Sequence, residues 1–165
     1  MVERTTTSQG VNGRVVVAER PADIRNVVLV GHSGSGKTTL VEALAVAAGA
    51  VPRAGRVEDG TSVSDYDDIE QRQHRSVQLS VVPMGWDHVK VNLLDTPGYA
   101  DFVGELRAGL RAADAALFVL SAAAGVEGVS GATLALWEEC ARVGMPRAIV
   151  LTHLDTARAD FEDTT

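Results

Sequence analysis

Apolar and polar positions change period several times along this chain, and each change marks an element. Asn26 to Val30 is an apolar, β-branched run of strand length. After a short stretch of small and polar residues, Leu40, Leu44 and Ala47 recur at helical spacing, with Gly49 as the stop. From Val51 to Ser76 the chain is polar and aperiodic, and a loop of that length inside a compact domain is usually functional. Val77 to Met84 and His88 to Leu94 predict two strands joined through Gly85-Trp86-Asp87, with Pro83 placing the first of them at an edge. A helix is expected from about Ala100, with Phe102, Val103, Leu106 and Leu110 on one face. Ala115 to Leu120 predicts a buried strand, Ser130 to Val143 a helix bounded by Gly144 and Pro146, and Arg147 to Leu151 another buried strand. Strands alternating with helices make this an α/β chain: a three-layer sandwich around a mostly parallel sheet, with the hairpin supplying one antiparallel edge.

Met1 to Ala22, rich in Thr, Ser, Gly and Arg, is expected to be a flexible segment, with Val15 to Val17 as a short edge-strand candidate. Residues 23–165 are expected to form the folded domain. A length of 165 residues with 45% hydrophobic content suits one domain with a real core. The net charge of −7 argues against broad contact with free nucleic acid. The single cysteine, Cys140, excludes an internal disulfide, and its stripe with Leu136 and Val143 makes it a core residue. No Cys/His grouping has zinc spacing, the polar start lacks a signal-peptide core, and no apolar run reaches membrane length. A cytoplasmic protein without membrane contact is expected.

Chemistry enters with Gly31-His32-Ser33-Gly34-Ser35-Gly36-Lys37-Thr38, a complete phosphate-binding loop between a strand and a helix. Glycines let successive backbone N–H groups turn inward as an anion nest, and the helix N-terminus adds partial positive charge. Lys37 is expected to reach the β- and γ-phosphates and Thr38 to ligate Mg²⁺, with Thr39 completing the nucleotide-binding run. That order of elements predicts a P-loop NTPase. A second motif, Asp95-Thr96-Pro97-Gly98, ends the strand from His88. By itself it is also a plain turn. Beside a phosphate loop, Asp95 is expected to hold Mg²⁺ through water, and the Gly98 N–H to meet the γ-phosphate. A third, Thr152-His153-Leu154-Asp155, follows the last strand. A carboxylate there can accept from guanine N1–H and N2–H₂, a donor pair adenine lacks.

With these motifs the chain resembles the N-terminal GTPase domain of translation elongation factor G, in a divergent elongation-factor-G-like branch, from about Asn26 to Asp155. The most specific stretch is Asp95-Thr96-Pro97-Gly98-Tyr99-Ala100-Asp101-Phe102, followed by Asp114-Ala115-Ala116 and Ala124-Gly125-Val126-Glu127. The resemblance implies GTP and GDP with Mg²⁺ as ligands and the ribosome as partner. It makes Gly60 to Leu79 the first switch region and Asp95 to about Arg111 the second. It also implies a further strand, a Ser-Ala loop and a terminal helix beyond the last predicted strand, so the domain is expected to be truncated before them.

The departures from the family pattern cluster around hydrolysis. Tyr99 stands where the family carries the histidine that orients the attacking water, so Tyr99 is the candidate catalytic residue. A phenol with a pKa near ~10 is a poor replacement for imidazole, though it can still hydrogen-bond water. Gln78 aligns with the threonine of the first switch, and Gly34 with a phosphate-loop aspartate. Thr152 and His153 replace Asn and Lys in the base-recognition motif, while Asp155 remains. Binding with slow intrinsic hydrolysis is therefore expected. The alternatives are a GTP-binding switch without significant catalysis, and an ATP-using P-loop kinase or ATPase.

Overall fold

The computed structural model describes residues 17–55, 62, 79–98, 103–123, 129 and 131–155. A short 3₁₀ turn, Pro21–Asp23, leads into strand β1 (Ile24–Val30) and helix α1 (Lys37–Ala47). The hairpin β2 (Ser80–Trp86) and β3 (Val89–Asp95) comes next. Helix α2 (Val103–Ala112), strand β4 (Ala115–Ser121), helix α3 (Gly131–Arg142) and strand β5 (Arg147–Thr152) complete the order. Among the described residues five strands form one sheet, β2-β3-β1-β4-β5, in which only β2 runs antiparallel to its neighbour.

The alternation of β1 explains the layers. Leu29 points into a core with Val41 and Ala45 of α1 and the buried Ala50 and Val51 that follow it. Val28 and Val30 point the other way, toward Leu110 of α2, Phe118 of β4 and Cys140 of α3. A central parallel strand is buried on both faces, which is why Val27 to Val30 reads as an unbroken apolar run. The three-layer sandwich around a mostly parallel sheet is thus present.

Register is fixed by polar side chains where the apolar run stops. Asn26 and Asn92 face each other across β1 and β3, and the Asn92 Nδ2 donates to Asn26 Oδ1 at 2.8 Å. The Asn26 N–H donates to Asp114 Oδ2 at 2.7 Å, which ties the start of β4 to the same point. A slip of one residue would lose these bonds and turn each core side chain to the wrong face.

Several elements differ from expectation in detail. β1 starts at Ile24, ahead of Asn26, because parallel pairing with β3 extends to the Ile24–Lys90 pair. The hairpin turns at Asp87-His88, since Gly85 and Trp86 still pair with Lys90 and Val89. Asp87 takes φ +54°, a left-handed conformation that aspartate tolerates better than most residues. Among the described residues Pro83 does lie in an edge strand. In α1 the buried stripe is Val41 and Ala45, with Leu40 and Leu44 beside it and Ala47 exposed. Gly49 and Gly144 follow α1 and α3 in left-handed conformations, as expected of helix stops.

The expectation of a buried last strand is corrected: β5 is an edge among the described residues, and Ile149 is 51% exposed. Its start is sealed by Trp137 of α3, which meets the Phe118 ring edge-on at 5.0 Å and lies 4.4 Å beneath the Arg147 guanidinium. Cys140 is buried as predicted, whereas Val143 lies past the end of α3 and is exposed. Val15, Val16, Val77, Gln78, Tyr99 and Phe102 fall outside the described residues. No helix among the described residues is long and apolar enough to cross a membrane.

Candidate nucleotide-binding site

The loop Gly31–Gly36 leaves the C-terminal end of β1 and enters α1 at Lys37. Gly36 caps the helix with φ +85°, a conformation in which a side chain would be strained. The Lys37 amine folds back over the loop and donates to the carbonyl oxygens of Gly31 at 2.9 Å and His32 at 3.0 Å. Lys37 is buried. Burial pushes its pKa below the ordinary lysine value, and the Asp95 carboxylate opposes that shift. His32 Nδ1 lies 2.6 Å from the Ser33 carbonyl oxygen, which only accepts, so Nδ1 carries the proton of this contact. His32 Nε2 and Ser35 Oγ are buried without a hydrogen-bond partner among the described residues. Buried polar atoms are normally satisfied, and both of these lie on the glycine-rich loop.

The second motif meets the first directly. The Thr38 hydroxyl donates to Asp95 Oδ2 at 2.8 Å, joining the first turn of α1 to the end of β3. Asp95 is 1% exposed. Thr96 donates to the Leu29 carbonyl at 2.6 Å and locks the exit of β3 onto β1. Gly98 then passes so close to the phosphate loop that a Cβ there would lie 2.5 Å from the Ser33 nitrogen and 2.6 Å from Lys37 Nζ. Asp95 and Gly98, read from sequence as a metal-and-phosphate corner, are thereby brought onto Lys37 and Thr38.

The third motif reaches the loop from the far side. The Thr152 hydroxyl lies 2.7 Å from the Ser35 carbonyl oxygen and 3.1 Å from that of Leu120, so the end of β5 is fastened to both the loop and β4. His153 takes φ +56°, and its Nδ1 lies 3.0 Å from Ser121 Oγ. Its Cε1 would stand 3.6 Å from a Cβ on Gly36, which sets the ring beside the loop. Leu154 and Asp155 follow in an exposed turn. Gly34 and Thr39 are exposed members of the loop and first turn, while Ser33 is half-buried. Tyr99, one residue past Gly98, lies outside the described residues. The sequence reading overlooked Ser121, a small polar residue at the end of an apolar strand, and Glu42, a carboxylate inside α1. A charged residue next to the core-facing Val41 was the available signal for Glu42.

Residues 22–165 match the model of the elongation factor Tu GTP binding domain. The chain belongs to that family. It is a P-loop NTPase of the translational GTPase kind. It is 58% identical over 163 residues to an elongation factor G-like protein of Mycobacterium tuberculosis, covering 99% of this chain and 22% of that protein. It is 35% identical over 140 residues to the mitochondrial ribosome-releasing factor 2 of Lodderomyces elongisporus, covering 85% of this chain and 17% of that one. A crystal structure of a Thermus thermophilus protein superposes with a TM-score of 0.77 at 48% identity, over 86% of this chain and 21% of that chain. The chain therefore spans about a fifth of the length of the relatives it matches.

The donor set fits a family Mg²⁺. Among the described residues no cluster of three His, Cys, Asp or Glu side chains could hold a metal on its own. One carboxylate and one hydroxyl in contact, Asp95 and Thr38, match an ion that takes only a few protein oxygens and fills its shell with phosphate and water.

Proposed function

We propose that this domain binds GTP and GDP with Mg²⁺ as the nucleotide switch of an elongation-factor-G-like protein that acts on the ribosome. The observation that carries the reading is the joining of loop and switch corner: Thr38 on Asp95, and Gly98 packed on Ser33 and Lys37. On this reading Gly31 to Thr39 cradle the phosphates through backbone N–H groups, and Lys37 neutralises the β- and γ-oxygens. Thr38 and Asp95 would hold Mg²⁺, which when bound supplies positive charge to the bridging and terminal phosphate oxygens. Asp155 accepts from guanine N1–H and N2–H₂, and His153 stacks on the base from the ring position beside Gly36. Thr152 keeps the base-binding turn in register with the loop.

Hydrolysis requires a water to attack the γ-phosphorus in line with the bond to the β-phosphate oxygen, and catalysis of that step is positioning plus electrostatics. With Tyr99 in the water-orienting position we infer slow intrinsic turnover, a ribosome-dependent reaction at most. The relatives named as elongation-factor-G-like and ribosome-releasing proteins support the ribosome as partner.

Competition against a fluorescent GTP analogue in the presence of Mg²⁺ tests the binding half. Displacement by GTP and GDP but not ATP is expected; equal displacement by ATP would return the site to a kinase or ATPase reading. For the catalytic half, single-turnover hydrolysis is expected to rise at least about tenfold in Tyr99→His, within the range a positioned general base supplies. Rapid hydrolysis by the unaltered protein would overturn the assignment.

A further inference from the structure

Ser121 ends β4 as a lone polar side chain after the apolar run Ala115 to Leu120, and it is 5% exposed. A hydroxyl that deep needs a hydrogen-bond partner. Its Oγ lies 3.0 Å from His153 Nδ1, and Thr152 Oγ1 lies 3.3 Å from the same nitrogen. The register of β4 and β5 sets Ser121 opposite Thr152, so the two strand ends present both hydroxyls to one edge of the imidazole. The single Thr152 proton is directed at the carbonyl oxygens of Ser35 and Leu120, so toward His153 its oxygen accepts. The Ser121 hydroxyl can donate or accept, and its contact with Nδ1 holds in either tautomer of the ring.

His153 is a residue in need of such a hold. It is exposed, and its φ of +56° is a conformation few side chains adopt without compensation. An untethered side chain on an exposed turn samples several rotamers, and a ligand that uses it must pay to order it. With Nδ1 held between Ser121 and Thr152, the Cε1 edge of the ring stands beside the phosphate loop, 3.6 Å from where a Cβ on Gly36 would lie. The other flank of the loop is closed, because a Cβ on Gly98 would fall 2.5 Å from the Ser33 nitrogen. A ligand with its phosphates in the loop has its open flank on the β5 side, where the ring stands.

We infer that Ser121 is a positioning residue for base recognition: it fixes the imidazole plane of His153 on which the guanine base stacks. The inference rests on the base-stacking reading proposed above and adds the group that makes the stack pre-organised. Ser121 touches no nucleotide and acts through His153 alone. Phosphate contacts made by residues 31–38 are independent of it.

The test measures dissociation constants of the full chain for GDP and for inorganic triphosphate, which has phosphates and no base, both with Mg²⁺. Ser121→Ala adds no volume to the buried strand end, so the fold is retained. It is expected to weaken GDP by about threefold to fivefold, the size of one neutral hydrogen bond, and to leave inorganic triphosphate unchanged. His153→Gly removes the ring while keeping a residue that accepts φ +56° without strain, and is expected to weaken GDP at least about fivefold, as for a lost base stack. In the His153→Gly background Ser121→Ala is expected to cost GDP nothing more, since its effect passes through the ring. Equal weakening of both ligands by Ser121→Ala, no weakening of GDP, or an undiminished effect without the ring would overturn the proposal and leave Ser121 a scaffold residue. GDP affinity unmoved by His153→Gly would overturn the base-stacking reading together with it. Failure of the unaltered chain to bind either ligand would overturn the nucleotide reading beneath both.

Discussion

The proposed phosphate corner and the proposed base corner of this site are built in opposite ways. At the phosphate corner Lys37 and Asp95 are buried, and Thr96 bonds directly to the central strand. At the base corner His153, Leu154 and Asp155 are exposed, on a turn fastened to the loop through the Thr152 hydroxyl. The first is a by-product of the core: pack β1, β3 and α1, and loop, lysine and carboxylate fall into place. The second is a surface turn, whose residues can be exchanged without opening a cavity. By the family resemblance both corners carry departures: Gly34 in the phosphate loop aligns with an aspartate, and Thr152 and His153 with Asn and Lys, while the loop's lysine and threonine are kept.

Three substitutions probe this contrast at decreasing size. Lys37→Ala removes the buried cation, and both GTP and GDP are expected to bind at least about a hundredfold more weakly by calorimetry, as for lost charge-assisted hydrogen bonds. In the unaltered protein, nucleotide at a hundredfold over its dissociation constant adds about 2.7 kcal/mol, so the thermal midpoint should rise with GDP there and not in the variant. Should Lys37→Ala bind like the original, the phosphate corner would not be where burial puts it. Thr152→Val cuts the tether to Ser35 while keeping the side-chain shape. A loss of about 1 kcal/mol, roughly fivefold in guanine-nucleotide affinity, is expected from one neutral hydrogen bond. A loss as large as that of Lys37→Ala would erase the distinction between the two corners. Trp86→Ser, at the hairpin end, alters a side chain that is 62% exposed, so nucleotide affinity and stability are expected to stay within about 0.5 kcal/mol. A larger shift in binding would extend the site to the opposite end of the sheet.

Elements defined by burial were legible in the sequence. β1, β4, α1 and α3 each carried a period or an apolar run, and the order of strand, glycine loop and helix was readable as the P-loop arrangement that the structure shows. What was not legible depended on neighbours. β5 reads as buried because Ala148 to Leu151 is apolar, yet only its pairing with β4 reveals an edge. The hairpin turn fell at Asp87-His88 instead of Gly85-Trp86-Asp87 because register with β3, not local turn propensity, decided it. Ser121 and Glu42 escaped notice because a lone polar residue in an apolar element has no meaning until its partner, distant in sequence, is known.

The order of strands in the sheet also governs how this domain is assembled in time. β1 lies between β3 and β4, and the two asparagines that set its register are 66 positions apart. The bond from Asn26 to Asp114 spans 88 positions. During synthesis β1 and α1 are therefore made early, but Leu29 and Thr38 acquire their Thr96 and Asp95 partners only after the β2–β3 hairpin has emerged. Among the described residues that hairpin is the one local pairing in the sheet and the natural first structure to form, since its loop closure is short. Denaturant-dependent refolding should accordingly be slow for a chain of this size, and nucleotide, which on the proposed reading needs both β1 and β3 in place, should slow unfolding more than it speeds folding.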